Sequence, residues 1–321
     1  MRGLVTKSTG SSYIVRLDDG SDVECRIKGN FRIRGIRSTN PVAVGDYVQI
    51  ENGQWKTENE APVYWISDVE ERRNYIIRRS TNLSKESHIL AANIDQVALI
   101  VTINHPETST TFIDRFLATC EAYRVPAILI FNKIDLLTQE ELERLAELRA
   151  LYESIGYPTL AISAKNLTDE AGLLSELRGR VTLLSGNSGV GKSTLLNALF
   201  GREVTRTGKI SDAHDKGMHT TTFSEMYFLE MENGAWKMEN GALIDTPGIK
   251  GFGTIDFERE EVSHYFREIF RIGANCRFGN CTHTNEPGCA VEQAVVQGEI
   301  AISRFESYLS ILGDCTEAKY R

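Results

Sequence analysis

Residues 181–200 read VTLLSGNSGVGKSTLLNALF: an apolar run, a glycine-rich turn, and a second apolar run with helical spacing. The turn from Gly186 to Ser193 fits the pattern G-x-x-x-x-G-K-[ST], which marks a P-loop where it joins a β-strand to an α-helix. Glycines let the backbone N–H groups point at phosphate oxygens, and the helix dipole adds attraction for an anion. This segment therefore predicts a phosphate-binding loop in an α/β domain.

Each position of this turn has an expected contact with a nucleotide. Lys192 should meet the β- and γ-phosphates, the Ser193 hydroxyl should bind Mg²⁺, and Thr194 lies where a further phosphate contact is expected. The other positions supply backbone N–H groups. The predicted phosphate-binding residues are Gly186, Asn187, Ser188, Gly189, Val190, Gly191, Lys192, Ser193 and Thr194.

Two downstream segments are typical of loops that respond to a γ-phosphate. The segment ALIDTPG is an apolar strand that ends in Asp245, whose carboxylate can hold Mg²⁺ through water, and the Gly248 N–H can reach the γ-phosphate. The earlier segment GMHTTT supplies a threonine for a second metal contact. Either Thr220 or Thr221 fills this role, and the sequence does not choose between them.

A base-reading motif lies ahead of the P-loop. The apolar run AILIF is followed by Asn132-Lys-Ile-Asp135, where the Asp135 carboxylate can accept from both N–H groups of guanine, whereas adenine offers neither donor. Asn132 would brace the loop, and the stem of Lys133 would cover the ring. A second strand end, Ser163-Ala-Lys165, places the backbone N–H of Ala164 or Lys165 where it can donate to guanine O6. Guanine is the predicted base, with GTP and GDP as the ligands.

Composition indicates a folded protein of several domains. The chain has 321 residues, of which 41% are hydrophobic and 25% charged, close to ordinary globular usage. Its longest apolar stretch, Val97–Ile103, is too short to cross a bilayer, and no secretory signal is visible, so we expect a cytoplasmic protein with no membrane partner. The 36 Lys and Arg against 44 Asp and Glu leave a net charge of −8, which argues against binding nucleic acid by bulk attraction.

The pattern of apolar and polar residues changes twice along the chain. Residues 1–75 alternate apolar and polar residues in short runs between turns, which predicts a small all-β barrel. From Ile94 to residue 253, apolar strands alternate with helical segments, which indicates a covered, mostly parallel sheet. In residues 254–321 the strands stop. Helices there are predicted with one face formed by Val262, Phe266, Ile269 and Phe270, and with a last helix over residues 291–312.

One local patch in the barrel could meet a polyanion. The segment from residue 26 to residue 37 carries basic residues and no acidic one, with Phe31 among them. Barrels of this size bind single-stranded nucleic acid through such basic grooves with aromatic platforms. A solvated barrel face is the alternative. The basic residues are Arg26, Lys28, Arg32, Arg34 and Arg37.

The C-terminal unit contains a predicted metal centre. Cys276, Cys281, His283 and Cys289 give three thiolates and one imidazole within fourteen residues. Four such ligands suit tetrahedral Zn²⁺, and a closed set leaves no open position for catalysis. One structural zinc ion per chain is therefore expected, and it should supply much of the folding free energy of this small unit.

The order of the motifs is unusual, because the base-reading elements precede the phosphate-binding elements, as in a circularly permuted GTPase. In this order, and with its barrel and zinc ligands, the chain resembles the RsgA family of ribosome-assembly GTPases over nearly its whole length. The resemblance implies three domains: an OB-like barrel (1–75), a circularly permuted GTPase domain (76–253) and a zinc-binding helical domain (254–321). It also implies GTP hydrolysis stimulated by the small ribosomal subunit and its rRNA, with a role in late maturation, and we expect a monomer.

Turnover by the protein alone should be slow. Ile249 stands where many GTPases carry the glutamine that orients the attacking water, and an alkyl side chain cannot do this. His219 is a candidate substitute. Two other functions stay open: an RNA-binding assembly scaffold that holds GTP as a structural ligand, and a GTPase that regulates translation on another ribosomal surface. Intact Lys192, Ser193 and Asp245 favour turnover over pure scaffolding.

Overall fold

The computed structural model describes residues 1–10, 12–27, 41–51, 64–79, 87–167, 170–204, 224–229, 241–246 and 257–317. The N-terminal strands are β1 (Arg2–Ser8), β2 (Tyr13–Leu17), β3 (Asp22–Ile27), β4 (Tyr47–Glu51) and β5 (Tyr64–Val69).

These N-terminal strands close on themselves as a barrel. The hydrogen-bonded order runs β4-β1-β2-β3-β5, and β5 pairs in turn with β4. Alternate side chains point inward, so that Val5, Val15, Val48 and Ile66 are fully buried. The predicted small all-β barrel is confirmed.

The central part is a sheet covered by helices. Strands β8 (Gln96–Val101), β9 (Ala127–Phe131), β10 (Thr159–Ala161), β11 (Val181–Ser185) and β13 (Ala242–Asp245) are parallel in the order β10-β9-β8-β11-β13, and β12 (Ser224–Phe228) pairs antiparallel with β13. The connecting helices are α1 (Thr110–Ala122), α2 (Gln139–Ile155), α3 (Glu170–Leu177) and α4 (Lys192–Phe200). Every residue of β8 is buried because helices cover both faces, which confirms the predicted parallel sheet.

The barrel and the central sheet are joined edge to edge. Strand β1 pairs antiparallel with β12, with Lys7 opposite Glu225 and Ser8 opposite Ser224, so eleven of the thirteen described strands form one sheet. A separate antiparallel pair, β6 (Tyr75–Arg79) and β7 (Ser87–Ala92), lies between the two units in sequence. The buried Asp46 carboxylate accepts from Arg72 Nη2 at 2.6 Å and fixes the segment where the chain leaves the barrel.

The C-terminal unit is helical, as expected, but its helices are shorter than predicted. A short 3-10 helix (Val262–Tyr265) leads into α5 (Arg267–Gly273), and α6 (Ala290–Val296) precedes α7 (Ile302–Glu317). The single helix expected over residues 291–312 is wrong, because Gly298 adopts a left-handed backbone with φ of 78° and ends α6. Phe270, expected on the buried face, is 56% exposed.

Helix α7 packs against α1 of the central unit, and Ala118 of α1 belongs to the same apolar cluster as Phe266 and Tyr308. Among the described residues, none of the helices is long and apolar enough to cross a membrane.

Candidate functional site

The glycine-rich loop connects β11 to α4 in a conformation that needs its glycines. Gly186 has φ of 145°, and a Cβ there would lie 2.3 Å from the carbonyl oxygen of Ile100. Gly191 has φ of 101°, and a Cβ there would lie 2.3 Å from Asn132 Nδ2. Only glycine fits both positions, because Ile100 of β8 and Asn132, which follows β9, lie so close to the loop backbone.

Lys192 folds back over this loop. Its Nζ donates to the carbonyl oxygens of Gly186 at 2.7 Å and Asn187 at 2.9 Å. Burial lowers the pKa of Lys192, and the nearby Asp245 carboxylate opposes that shift. The ammonium therefore lies inside the curl of the loop, where a phosphate would replace the two carbonyl partners.

Asn132 connects the base-reading and phosphate-binding elements directly. Its side chain is 3% exposed. Its Nδ2 donates to the carbonyl oxygen of Val190 at 2.8 Å, and its Oδ1 accepts from the backbone N–H of Ala164 at 2.8 Å. The three segments follow β9, β10 and β11, and they meet because these strands are parallel members of one sheet, so their carboxyl ends share one edge.

The other predicted base-reading residues lie around this bridge. Lys133 adopts a left-handed backbone with φ of 65°, and its Nζ donates to the carbonyl oxygen of His105. Asp135 lies on the following 3-10 helix with its side chain exposed, and Ser163 is fully buried. Of the two backbone N–H groups predicted to reach guanine O6, that of Ala164 already donates to Asn132 Oδ1.

The end of β13 fits a magnesium-bound phosphate. Asp245 is fully buried at the end of the strand, and the buried Thr246 Oγ1 has no hydrogen-bond partner in the described part of the chain. A buried carboxylate near Lys192, with a hydroxyl of unmet hydrogen-bonding capacity beside it, suits a hydrated cation. The predicted residues His219, Thr220, Thr221 and Gly248, and also Ile249, lie outside the described residues.

The predicted metal ligands converge in the C-terminal unit. The ligand atoms of Cys276, Cys281, His283 and Cys289 all lie within 4.8 Å of one another. His283 Nδ1 is 3.6 Å from Cys276 Sγ and 3.5 Å from Cys289 Sγ, and these two sulfur atoms are 4.0 Å apart. Tetrahedral zinc with ordinary bond lengths needs about 3.6 Å between sulfur and nitrogen and about 3.8 Å between sulfurs. The site therefore fits Zn²⁺ with His283 bound through Nδ1.

A residue that the motif did not reveal fixes the metal loop. Glu286 accepts from the Thr282 N–H at 2.8 Å, the Thr282 hydroxyl at 2.6 Å, the Thr284 N–H at 2.8 Å and the Asn285 N–H at 3.1 Å. Burial raises the pKa of Glu286, but these hydrogen bonds outweigh it and hold the pKa well below the usual range. The carboxylate thus pins both sides of His283, and no spacing rule would have singled it out.

Two models of one protein family match this chain. The model of the RsgA GTPase family matches residues 69–255, and that of the RsgA N-terminal domain matches residues 2–61. The small ribosomal subunit biogenesis GTPase RsgA of Phocaeicola vulgatus is 59% identical over 321 residues, covering 100% of this chain and 99% of that protein. The protein of the same description from Christiangramia forsetii is 49% identical over 321 residues, covering 100% of this chain and 98% of its own length.

Two solved structures share the whole architecture. The crystal structure of YjeQ from Thermotoga maritima has a TM-score of 0.71 at 32% identity, and covers 98% of each chain. The crystal structure of YloQ, described as a circularly permuted GTPase, has a TM-score of 0.69 at 28% identity and covers 100% of this chain and 96% of its own. Both likenesses include the barrel and the C-terminal helical unit.

Proposed function

The chain belongs to the RsgA family of circularly permuted GTPases, and from that premise we propose that it hydrolyses GTP while bound to the small ribosomal subunit and its rRNA during late assembly. It is a GTPase of small ribosomal subunit biogenesis, with an N-terminal barrel and a C-terminal unit whose Cys and His residues fit zinc. The observation that carries the proposal is the Asn132 bridge, because it brings the guanine-reading and phosphate-binding loops together despite their permuted order.

We propose a role for each of the site residues. Lys192 exchanges its two carbonyl partners for the β- and γ-phosphates. Ser193 and Asp245 would hold Mg²⁺, which neutralises phosphate charge when it is bound. Asp135 accepts from the guanine N–H groups, and the Lys165 N–H donates to O6. His219 is the proposed partner of the attacking water, and Thr220 or Thr221 the second metal contact.

The flanking units are proposed to hold the ribosomal partner. The boundaries 1–75, 76–253 and 254–321 stay as proposed domains, and we propose one structural Zn²⁺ in the last of them. Arg26, at the end of β3, is exposed, and the rest of the basic segment 28–37 lies outside the described residues. We further propose that the protein acts in the cytoplasm as a monomer.

Co-sedimentation with purified subunits tests the partner. We expect the protein with a non-hydrolysable GTP analogue to pellet with small subunits and not with large ones. Replacing Arg32 and Arg34 by Ala should weaken this binding without changing GTP affinity. The decline of log K with log salt should also become less steep, by about 0.7 to 0.9 in slope for each lost phosphate contact. Equal pelleting with both subunits would contradict the proposed partner, and a double variant whose salt curve overlays the parent would contradict a phosphate contact by the barrel.

A further inference from the structure

The loop between β8 and α1, residues 102–109, belongs to none of the nucleotide motifs, yet it is tied to the turn that follows β9. Lys133 Nζ donates to the carbonyl oxygen of His105. Asn104 Nδ2 donates to Glu141 Oε1 at 2.7 Å, on the first turn of α2. These contacts place the loop against the lysine and the helix start that flank Asp135.

Glu141 links this loop to the base-reading turn through its second oxygen. Its Oε2 accepts from the Thr138 N–H at 2.8 Å, and Thr138 Oγ1 accepts in return from the Glu141 N–H, which closes a capping box at the start of α2. Hydrogen bonds from the Thr138 backbone and from Asn104 lower the pKa of Glu141. One carboxylate thus holds both the end of the turn that carries Asp135 and the loop beside it.

Asn104 also directs the carbonyl that receives the lysine. Its Oδ1 accepts from the His105 N–H at 2.8 Å, while its Nδ2 is held by Glu141. Lys133 has an unfavourable left-handed backbone for a residue with a side chain, and its partly buried ammonium has the His105 carbonyl as its acceptor. The left-handed backbone of Lys133 and the contact of its ammonium can persist only if the loop that carries His105 is itself held in place.

We propose that Asn104 and Glu141 are positioning residues for guanine nucleotides: through His105 they hold the stem of Lys133 in place to cover the base. The inference rests on the proposed binding of guanine at the Asn132–Asp135 turn. A third contact on the loop, Arg144 to Glu107 at 2.8 Å, joins side chains that are 50% and 58% exposed and is therefore screened by water. The Asn104–Glu141 hydrogen bond is therefore the contact that we expect to hold the loop in place.

The proposed role has a distinct kinetic signature. GTP and GDP share the base and differ only at the γ-phosphate, so loosening the loop should weaken both nucleotides by the same factor. At saturating GTP the phosphate elements are filled as before, and kcat should stay that of the parent while KM rises. If Asn104 and Glu141 contributed only to the stability of the fold, their replacement would not raise KM while leaving kcat unchanged.

The test exchanges donor and acceptor across the hydrogen bond. Asn104→Asp sets two carboxylates against each other, and Glu141→Gln sets two amide groups against each other while its oxygen can still cap Thr138. In the double variant the new amide at position 141 can donate to the new carboxylate at position 104, and the net charge equals that of the parent. We expect fluorescent GDP and GTP to bind about tenfold more weakly to Asn104→Asp, and the double variant to recover to within about twofold of the parent.

Glu140→Gln is the matched control, because it removes the same charge from the same first turn of α2 but leaves the Asn104–Glu141 hydrogen bond in place. We expect its nucleotide affinity to equal that of the parent, and thermal melting confirms that each variant is folded. Parent-like GDP affinity in Asn104→Asp, or no recovery in the folded double variant, would overturn the inference. A parent protein that binds no guanine nucleotide would instead contradict the proposed function itself.

Discussion

Asp135 is the residue proposed to select the base. Its exposed carboxylate lies on the 3-10 helix Ile134–Leu136 after β9, and we propose that it accepts from two guanine N–H groups. Such a site rejects a base that lacks the donors, because the site's polar groups are then left unpaired. Preference for GTP over ATP should therefore be about 10⁴-fold.

Replacing Asp135 with Asn tests this role at a single atom. Asn presents a donor where guanine also presents one, so GTP affinity should fall about 10²-fold, the equivalent of two lost hydrogen bonds to a charged group. Xanthosine triphosphate, which offers an acceptor at that position, should bind better than GTP. Competition titrations with both nucleotides measure the exchange, and unchanged GTP preference in the variant would contradict the assignment.

At the residue scale, sequence was informative where backbone geometry restricts the residue type. The P-loop glycines and Asn132 could be named because few residues fit those positions. Asn104 and Glu286 could not, because their roles depend on partners brought close by folding of the surrounding loops. A polar side chain whose partners are set by tertiary structure leaves no periodic signal.

The metal loop is an element whose state can be read from thiol chemistry. Cys25 and Cys120 are buried, and burial raises the pKa of Cys25 to about 12, so neither should react with a thiol reagent in the folded protein. Zinc should protect Cys276, Cys281 and Cys289, whereas Cys315 is only partly buried. In the metal-loaded protein, Cys315 should therefore be the one cysteine of the six that reacts, and it should react slowly.

Removing the metal should expose the three ligand thiols, so that four cysteines react after chelation. Ellman titration with and without a chelator counts them, and metal analysis of the untreated protein gives the zinc content. The central nucleotide domain has its own core, so GDP binding measured after chelation with Mg²⁺ restored in excess should equal that of the untreated protein. Equal thiol counts in the two samples would contradict a zinc site at these residues.

Element boundaries show where sequence patterns lose information. Strands β8, β9 and β11 were predictable because apolar runs covered on both faces carry a strong signal. The break between α6 and α7 was missed because Gly298 is compatible with a continuous helical pattern, and its left-handed backbone is seen only in the folded chain. The pairing of β1 with β12 joins residues more than two hundred positions apart, which no local pattern specifies.

At the scale of the whole molecule, a buried ion network attaches the C-terminal unit to the GTPase domain. Arg304 of α7 is 1% exposed, and it donates to Asp114 of α1 at 2.8 Å and to Glu268 of α5 at 2.7 Å. Tyr152 of α2 donates to the same Asp114 oxygen at 2.9 Å. Arg304 and Glu268 belong to the C-terminal unit and Asp114 and Tyr152 to the central unit, so these buried contacts join the two units.

Arg304→Met should destabilise the protein strongly. It leaves two buried carboxylates without their cation, a loss of about 3–5 kcal/mol in the free energy of unfolding. Arg115→Ala is the control, because it breaks a more exposed pair with Asp314 across the same α1–α7 contact and should cost less than about 1 kcal/mol. Urea titration compares the two variants. Equal losses would show that burial of the Arg304 network contributes nothing beyond a surface ion pair.

GTP hydrolysis stimulated by the small ribosomal subunit can be measured as phosphate release. With GTP in excess, we expect slow release by the protein alone, at least about tenfold faster release with purified small subunits, and little change with large subunits. Lys192→Ala should abolish both the basal and the stimulated rate. Equal rates with and without small subunits, or equal stimulation by large subunits, would contradict GTP hydrolysis stimulated by the small ribosomal subunit.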